Sequence, residues 1–388
     1  MMIKNLLLLK ALYSIVDGCY ADSLSCSNSS EPNLPSHPET MVSEPHKYFP
    51  AQLRQIVDAV DAISPDAIEL PDNHLYPVID ISSWLNQSAS SEEDRQYVVN
   101  RVLEEASANG SFNIIGHGIK DTLFDRLYSS AKNFFSMSLE QKMQYSAGNN
   151  LAGYIANRNE SVASFTESGS PKEQKDLRES FIFAALSNFD GNSLAPQDLL
   201  DSVAEYMENL HSVEIALKQI FTAALNSAKG IDLPINYLKD VEKDAAALFR
   251  ASRYPEMPDF EDATKLLPHS DVGTFTIIHS VEEGLEEVRD GRWYKVPMSK
   301  GELHVNIAEV YTMWSNGLFK NNIHRVSNKA EKDRISVSYF ASQGKSSSDD
   351  GISPVCSEGE VVKFPRVSPI SHLKHYIGDA TGIDGLLD

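Results

Sequence analysis

The chain has 388 residues, 41% of them hydrophobic, so it is long enough to bury a full core. It carries 34 Lys and Arg against 55 Asp and Glu, a formal net charge of −21, and no basic stripe. That net negative charge repels a phosphate backbone and argues against nucleic acid as a partner. No apolar run reaches the ~20 residues of a membrane-spanning helix. The three cysteines, Cys19, Cys26 and Cys356, have neither disulfide-framework nor zinc-site spacing.

The first fifty residues are predicted to be a leader and flexible linker. Residues 1–16 are mostly apolar, but Lys10 interrupts them, so a short signal sequence ending near Ala21 and a simple amphipathic or disordered leader both remain open. Residues 22–50 are rich in Ser, Pro, Asn and Glu, which is typical of a linker. Because the body of the chain holds only Cys356, we expect a cytoplasmic protein, with export as the alternative.

Residues 51–230 form the predicted helical N-terminal region. Apolar spacing and possible caps predict helices at 51–65, 92–108, about 120–137 and 196–229, with one strand at 111–115. The stretch 155–176 is polar and rich in Ser and Gly, which favours a loop that could act as a lid.

Residues 231–388 form the predicted catalytic region, in which the apolar period shifts toward two. This period predicts strands at 246–254, 274–280, 292–296, 303–307, 310–315, 323–327 and 334–341. A polar loop at 344–352 and a terminal helix at 369–378 follow. Helices first and antiparallel strands later indicate an α+β fold, with a double-stranded β-helix (jelly-roll) core and flanking N-terminal helices.

His269, Asp271 and His324 are the candidate metal ligands. Side chains two apart in an extended chain point the same way, so His269 and Asp271 can reach one ion. His324 lies in a second strand-like run and can close the site from across the sheet. Two imidazoles and one carboxylate on one face of an ion are the ligand set of non-haem Fe(II) oxygenases. His117 and His279 are interpreted as structural.

Arg334 and Ser336 alternate along the next strand-like run, together with Ser338 and Phe340. On a strand these four side chains share one face. A guanidinium with a hydroxyl two residues away is a good receptor for a carboxylate, because the planar fork donates two hydrogen bonds and the hydroxyl donates a third.

Further motifs make the chain resemble the isopenicillin N synthase-like family of 2-oxoglutarate- and Fe(II)-dependent dioxygenases, over about residues 75–378. The resemblance rests on these two ligand motifs and on several segments elsewhere: Tyr76-Pro-Val-Ile-Asp-Ile-Ser82, Gly110-Ser-Phe-Asn-Ile-Ile-Gly-His-Gly-Ile119, Phe134 to Met143, Gly153-Tyr154, Asp176 to Phe181, Arg253-Tyr-Pro255, and Gly301 to Glu309 with Trp314 to Lys320. The chain departs from the family pattern at Gly116, at Glu256 and at Ala308-Glu309, none of which is a candidate ligand.

The resemblance implies an enzyme in which His269, Asp271 and His324 hold Fe(II) and are catalytic. It implies that 2-oxoglutarate chelates the iron and pairs its far carboxylate with Arg334 and Ser336, and that Tyr254 is a third donor. The expected reaction oxidises a small organic substrate with O2 by hydroxylation, desaturation or cyclisation, and releases succinate and CO2. Ascorbate is a possible reductant, and we expect a monomer.

Two alternatives stay open from the residues. An oxidase of the isopenicillin N synthase type would use the same iron site without 2-oxoglutarate, with the Arg-x-Ser pair binding the substrate's own carboxylate. A sensor on the same fold would bind metal without turnover.

Overall fold

The computed structural model of the chain describes residues 76–146, 152–157, 177–184, 194–242, 247–256, 266–327, 333–341, 351–369 and 372. Five predictions lie wholly or mostly outside these residues: the leader 1–50, the helix 51–65, the lid 155–176, the polar loop 344–352 and the terminal helix 369–378. Within the described ranges, no helix is both long and apolar enough to cross a membrane.

The helices of the described residues lie mostly before the strands of the second half. Those predicted at 92–108, 120–137 and 196–229 are confirmed as α2, α3 and α5. The full set is α1 (Ser82–Leu85), α2 (Glu92–Ala108), α3 (Asp121–Phe135), α4 (Leu139–Met143), α5 (Gln197–Lys229), α6 (Tyr237–Val241) and α7 (Glu309–Trp314).

The strands of the described residues lie in two sheets, flanked by these helices. The larger sheet has the order β1 (Val78–Asp80), β2 (Ser111–Ile115), β10 (Leu303–Ile307), β7 (Phe275–Ser280), β12 (Arg334–Phe340), β5 (Leu248–Tyr254), β4 (Glu179–Ala184) and β3 (Gly153–Ile155). The smaller has the order β6 (Leu266–His269), β11 (His324–Val326), β8 (Leu285–Arg289) and β9 (Arg292–Lys295). Only β1 and β2 pair in parallel among these strands.

Local sequence explains where the longer helices begin and end. Ser91 caps α2: its hydroxyl accepts from the Asp94 N–H, and the Asp94 carboxylate accepts from the Ser91 N–H. This reciprocal pair satisfies two backbone donors that a helix start leaves open. Gly230 ends α5 with φ of +63°, a left-handed conformation that glycine adopts without steric cost.

Helix α5 packs on one face of the larger sheet. The Phe221 ring of α5 lies 6.4 Å from Phe112 of β2 and 5.7 Å from Phe275 of β7, between ring centroids. Because side chains alternate along a strand, Phe275 and Ile277 join this core, whereas Thr276 and Ile278 face the opposite way and line a cavity. The larger sheet therefore separates a helix-covered core from the cavity.

The predicted strand 310–315 is wrong, because Glu309–Trp314 form helix α7. All six residues of this helix are buried. A short helix buried on every side has no polar face, so its sequence lacks the 3.6-residue period that would distinguish it from a strand.

His279 is predicted to make the fold less stable at acidic pH. Its ring stacks on Phe124 with centroids 4.2 Å apart, its Nδ1 lies 2.9 Å from the Tyr128 hydroxyl, and it is 2% exposed. Burial, aided by the nearby charge of His117, lowers the pKa of His279 to about 4. Between about pH 6.5 and 4 the unfolded chain therefore binds a proton at this residue that the folded chain does not bind.

We expect the free energy of unfolding to fall as the pH drops through this window, by roughly 3 kcal/mol from His279 alone. Urea unfolding of the metal-free protein at several pH values measures this loss. The variant His279→Gln keeps a polar group beside Tyr128 but does not titrate, so its stability should depend less on pH than that of the unmodified protein. Identical pH slopes for the two proteins would show that His279 is not responsible.

Candidate metal centre

The three candidate ligands meet where the smaller sheet faces the cavity. His269 is the last residue of β6, Asp271 follows two residues later, and His324 is the first residue of β11. Strands β6 and β11 pair with His269 opposite His324, which brings the two imidazoles to 4.2 Å between ring centroids. The structure thus brings together three residues that are up to 55 positions apart in the sequence.

The distances between ligand atoms suit one ion. The nearer carboxylate oxygen of Asp271, Oδ1, lies 3.9 Å from the Nε2 atoms of both His269 and His324. Protein nitrogen and oxygen ligands of a divalent ion such as zinc lie about 2.0–2.2 Å from the metal, so two ligands of one ion are at most about 4.4 Å apart. Among the described residues, these three form the one group of His, Cys, Asp and Glu side chains with this geometry.

The polar atoms of the site also fit a bound cation. Asp271 is 7% exposed, and its Oδ2 atom is buried without a hydrogen-bond partner in the described part of the chain. A buried carboxylate oxygen that no donor reaches is costly unless a charge compensates it. His269 and His324 are 9% and 3% exposed, so the ligands lie on the wall of a cavity largely closed to bulk water.

Glu309 holds the segment that carries two of the ligands. Its carboxylate accepts a hydrogen bond from the hydroxyl of Ser270, the residue between His269 and Asp271. Its other oxygen lies 2.7 Å from the Nε2 atom of His372. The Glu309 N–H also donates to the Asp271 carbonyl at 3.0 Å. The start of α7 is therefore tied to the ligand segment through both a side chain and the backbone.

Replacing Glu309 with alanine should weaken both the fold and the metal site. Glu309 is fully buried, and the change removes its hydrogen bonds to Ser270 and His372. Losing one partner of a buried hydrogen bond typically costs about 1–3 kcal/mol of stability. Loss of an outer-shell partner typically lowers metal affinity about 10–100-fold. The measurements are urea unfolding of the metal-free protein and Fe(II) titration of the folded protein.

Glu205→Ala is the matched control, because Glu205 is an exposed acid whose partner Arg126 is also exposed. A surface pair of this kind contributes about 0–1 kcal/mol, and Glu205 is far from the ligand segment in sequence. If the Glu309 variant bound Fe(II) as tightly as this control, Glu309 would have no role in positioning the ligands.

The candidate carboxylate receptor lies in the same cavity as the metal ligands. Arg334 is 1% exposed and pairs in register with Tyr254 of β5. Its Nε donates to the Glu282 carbonyl at 3.3 Å, and its Nη1 is buried without a hydrogen-bond partner among the described residues. Burial lowers the pKa of the Arg334 guanidinium, and the nearby phenol of Tyr254 partly offsets that effect. An arginine so placed still carries its charge at neutral pH.

The predicted alternation along β12 is confirmed, and β5 alternates in the same way. The cavity is lined by the even-numbered residues of both strands: Arg250, Ser252 and Tyr254 of β5, and Arg334, Ser336, Ser338 and Phe340 of β12. Ile335, Val337 and Tyr339 face the helix-covered core instead. All six residues predicted for the site, the three ligands with Tyr254, Arg334 and Ser336, thus line one cavity of about 440 Å³ including its mouth.

Sequence reasoning missed two residues of this region. Glu309 attracted notice only as a departure from the family pattern, although a single carboxylate in the apolar run from Val305 to Trp314 is a sign of a buried partner. Arg178, which also lines the cavity, gave no such sign, because it lies in a charged segment where arginine is unremarkable.

Comparisons with known proteins agree with this geometry. A family model described as the 2OG-Fe(II) oxygenase superfamily matches residues 243–343, and one described as the N-terminal part of non-haem dioxygenases in morphine synthesis matches residues 76–212. Feruloyl CoA ortho-hydroxylase 2 of Arabidopsis thaliana is 26% identical over 78% of this chain and 80% of its own. Leucoanthocyanidin dioxygenase of Malus domestica is 24% identical over 80% and 86%.

Among solved structures, a full-length Neurospora crassa protein in complex with alpha-KG superposes with a TM-score of 0.67 at 18% identity. The match covers 81% of this chain and 98% of that one. This likeness concerns the fold, and it confirms the predicted jelly-roll core with flanking helices. The chain belongs to the 2OG-Fe(II) oxygenase superfamily.

Proposed function

We propose that this Fe(II)- and 2-oxoglutarate-dependent dioxygenase holds its iron with His269, Asp271 and His324. The observation that carries the proposal is the meeting of these three side chains on one wall of a cavity, with the Oδ2 atom of Asp271 buried and without a hydrogen-bond partner in the described residues. Three protein ligands leave the other positions of a six-coordinate ion to the cosubstrate and O2.

The same proposal assigns the far carboxylate of 2-oxoglutarate to Arg334, Ser336 and Tyr254. Arg334 and Tyr254 are opposite each other on paired strands, and Ser336 is two residues further along β12 on the same face. A guanidinium and two hydroxyls can together surround a carboxylate with charge-assisted hydrogen bonds. The buried Nη1 atom of Arg334 would gain the partner that the described residues do not provide.

The bound metal would supply the redox chemistry that couples decarboxylation of 2-oxoglutarate to oxidation of a substrate C–H bond. The chain's own residues bind, orient and shield the reactants. His269, Asp271 and His324 fix one face of the site, and their burial limits access of bulk water. Phe340, on the same face of β12 as Arg334, provides an apolar wall against which a substrate can lie.

The experiment is to measure succinate formed from 2-oxoglutarate by the purified protein in air, with Fe(II) and ascorbate and without any added substrate. We expect slow uncoupled turnover that stops when a chelator removes the iron. Iron binding without any consumption of 2-oxoglutarate would instead favour the oxidase of the isopenicillin N synthase type. A second assay adds a broad set of candidate substrates. If the protein bound iron but consumed no oxygen with any of them, a sensor would be favoured.

The proposal extends to the setting of the enzyme: a monomer in the cytoplasm that acts on a small organic molecule. Ferrous iron is retained most readily where the surroundings are reducing, and Cys356, the one cysteine of the described residues, is a free thiol. Sedimentation analysis of the full chain tests the monomer, and imaging of a tagged chain tests the compartment.

A further inference from the structure

His324 has a buried carboxylate as its neighbour in the smaller sheet. Strand β11 pairs with β6 on one side, where His324 is opposite His269, and with β8 on the other, where it is opposite Glu287. The Val288 N–H donates to the Ile323 carbonyl at 2.9 Å, so Glu287 and His324 form a non-hydrogen-bonded pair. The side chains of such a pair lie on the same face, with Cβ atoms about 4.5–5.5 Å apart. Glu287 is therefore a direct neighbour of a proposed iron ligand.

Hydrogen-bond donors hold both oxygens of the Glu287 carboxylate. Oε1 accepts from the Tyr76 hydroxyl at 2.7 Å and from the Nε atom of Arg289. Oε2 accepts from the Ser111 hydroxyl at 2.6 Å. Donors on both oxygens and a guanidinium at one of them are the partners of an ionised carboxylate. Glu287 is fully buried, and an apolar side chain can often replace a buried ion pair without loss of stability. The retained carboxylate therefore favours a role in the adjacent metal centre.

A line of hydrogen bonds runs from Glu287 to the His324 ring. Ser111, whose hydroxyl donates to Glu287, accepts from the Nδ2 atom of Asn322 at 3.3 Å. The same Nδ2 atom donates to the Asn109 carbonyl at 3.3 Å, which fixes the side-chain amide from a second direction. The backbone carbonyl of Asn322 lies 3.4 Å from the Nδ1 atom of His324. A metal-ligating histidine is oriented by the partner of its other ring nitrogen, so this carbonyl directs the Nε2 atom of His324 toward the ion.

We propose that Glu287 is a positioning residue of the metal centre and acts on the ligand His324. The inference rests on the proposed function, in which His324 holds iron. The carboxylate fixes the Ser111 hydroxyl, and that hydroxyl fixes the side chain of Asn322. The carbonyl of Asn322 then sets the tautomer and the angle of the imidazole. Glu287 itself does not touch the ion or the substrate.

The test measures Co(II) binding to the full chain under nitrogen, by titration followed through the visible absorption of the bound ion. In Glu287→Gln the NH2 group faces a hydrogen-bond donor whichever way the amide is turned, because both oxygens of Glu287 accept. The surrounding side chains must then shift. We expect the Co(II) affinity to fall about 10–100-fold, as is typical when an outer partner of a metal ligand is lost. The absorption bands should also move, because the His324 ring turns.

Glu286→Gln is the matched control. Glu286 precedes Glu287 on β8, is 3% exposed, and accepts a hydrogen bond from the Nε atom of Arg325 on β11 at 2.7 Å. The control thus breaks a buried ion pair between the same two strands, but on the opposite face of the sheet from His324. Both variants should lose stability, whereas only Glu287→Gln should lose Co(II) affinity and show moved bands. Equal Co(II) binding and equal spectra in the two variants would overturn the inference.

Ser111→Ala is measured alongside, and it decides the outcome if circular dichroism shows that Glu287→Gln is not folded. It keeps the ion pair of Glu287 with Arg289 but removes the hydroxyl that joins this pair to Asn322. We expect the same two changes at smaller size, and unchanged Co(II) binding in folded Ser111→Ala would overturn the inference. The unmodified protein and His324→Ala are titrated first. The absence of a Co(II) site that depends on His324 would contradict the proposed function, whereas such a site that is insensitive to Glu287 would contradict only this inference.

Discussion

Replacing His324 with alanine is expected to abolish 2-oxoglutarate turnover while leaving the fold largely intact. In the proposed site His324 is one of the three ligands that the described residues offer, and removing it leaves two that cannot hold an ion in a defined geometry. The loss of Fe(II) affinity should exceed the about 10–100-fold typical of an outer-shell partner. The same result is expected for His269→Ala and Asp271→Ala. Iron titration, succinate formation and circular dichroism together measure the effect.

His211→Ala is the matched control, because His211 is an exposed histidine on α5 whose ring lies beside Glu214, and it does not line the cavity. It should bind one Fe(II) per chain and keep its turnover. Activity at the level of the unmodified protein in any one of the three ligand variants would show that the assigned triad is not the iron site.

Arg334→Lys is expected to weaken 2-oxoglutarate binding by about 1.5–3 kcal/mol, or roughly 10–150-fold. An ammonium is charged but cannot make the planar, two-pronged contact with a carboxylate, and hydrogen bonds to charged groups contribute energies of this size. The measurement is the concentration of 2-oxoglutarate that gives half-maximal succinate formation, supported by calorimetric binding to the Ni(II)-loaded protein.

Arg253→Lys makes the same chemical change on the neighbouring strand, but outside the cavity, so its affinity for 2-oxoglutarate should stay near that of the unmodified protein. If Arg334→Lys behaved like this control, Arg334 would not be the receptor. The carboxylate of 2-oxoglutarate would then have to bind elsewhere in the cavity, and Arg250 would become the first candidate.

Local patterns in the sequence were sufficient to predict much of the architecture. Helix α2 begins at the capping residue Ser91, and helix α5 has a long apolar period that ends at Gly230, which are local signals of a helix. Strand β12 has the alternation of a sheet with one polar and one apolar face, and each of its side chains faces the predicted way. These elements were predictable because each satisfies a local rule.

Strand β8 could not be predicted in this way, because its charged residues are buried. Glu287 is fully buried, and its carboxylate accepts hydrogen bonds from Tyr76, Ser111 and Arg289. Two of those partners are more than 170 positions away in the sequence. When charged residues are buried against partners that are distant in the sequence, the strand lacks the alternation of polar and apolar residues that would predict it.

The candidate site likewise has a part that the sequence predicts and a part that depends on tertiary contacts. His269, Asp271 and His324 were assigned together from the order of the motifs along the chain, because a His-x-Asp pair alone is common by chance. The contact between Glu309 and His372 joins residues 63 positions apart, and only the folded chain shows that it stabilises the segment between the first two ligands. Such outer contacts are set by tertiary structure, so they are the part of a site that a single sequence shows least.

The most direct test of this account is an anaerobic crystal structure of the full chain with Mn(II), which accepts the same class of nitrogen and oxygen ligands as Fe(II), and with 2-oxoglutarate. We predict one ion bound to His269, Asp271 and His324, with the far carboxylate of 2-oxoglutarate on Arg334 and Ser336. An ion held by other residues, or that carboxylate placed away from Arg334, would contradict the account.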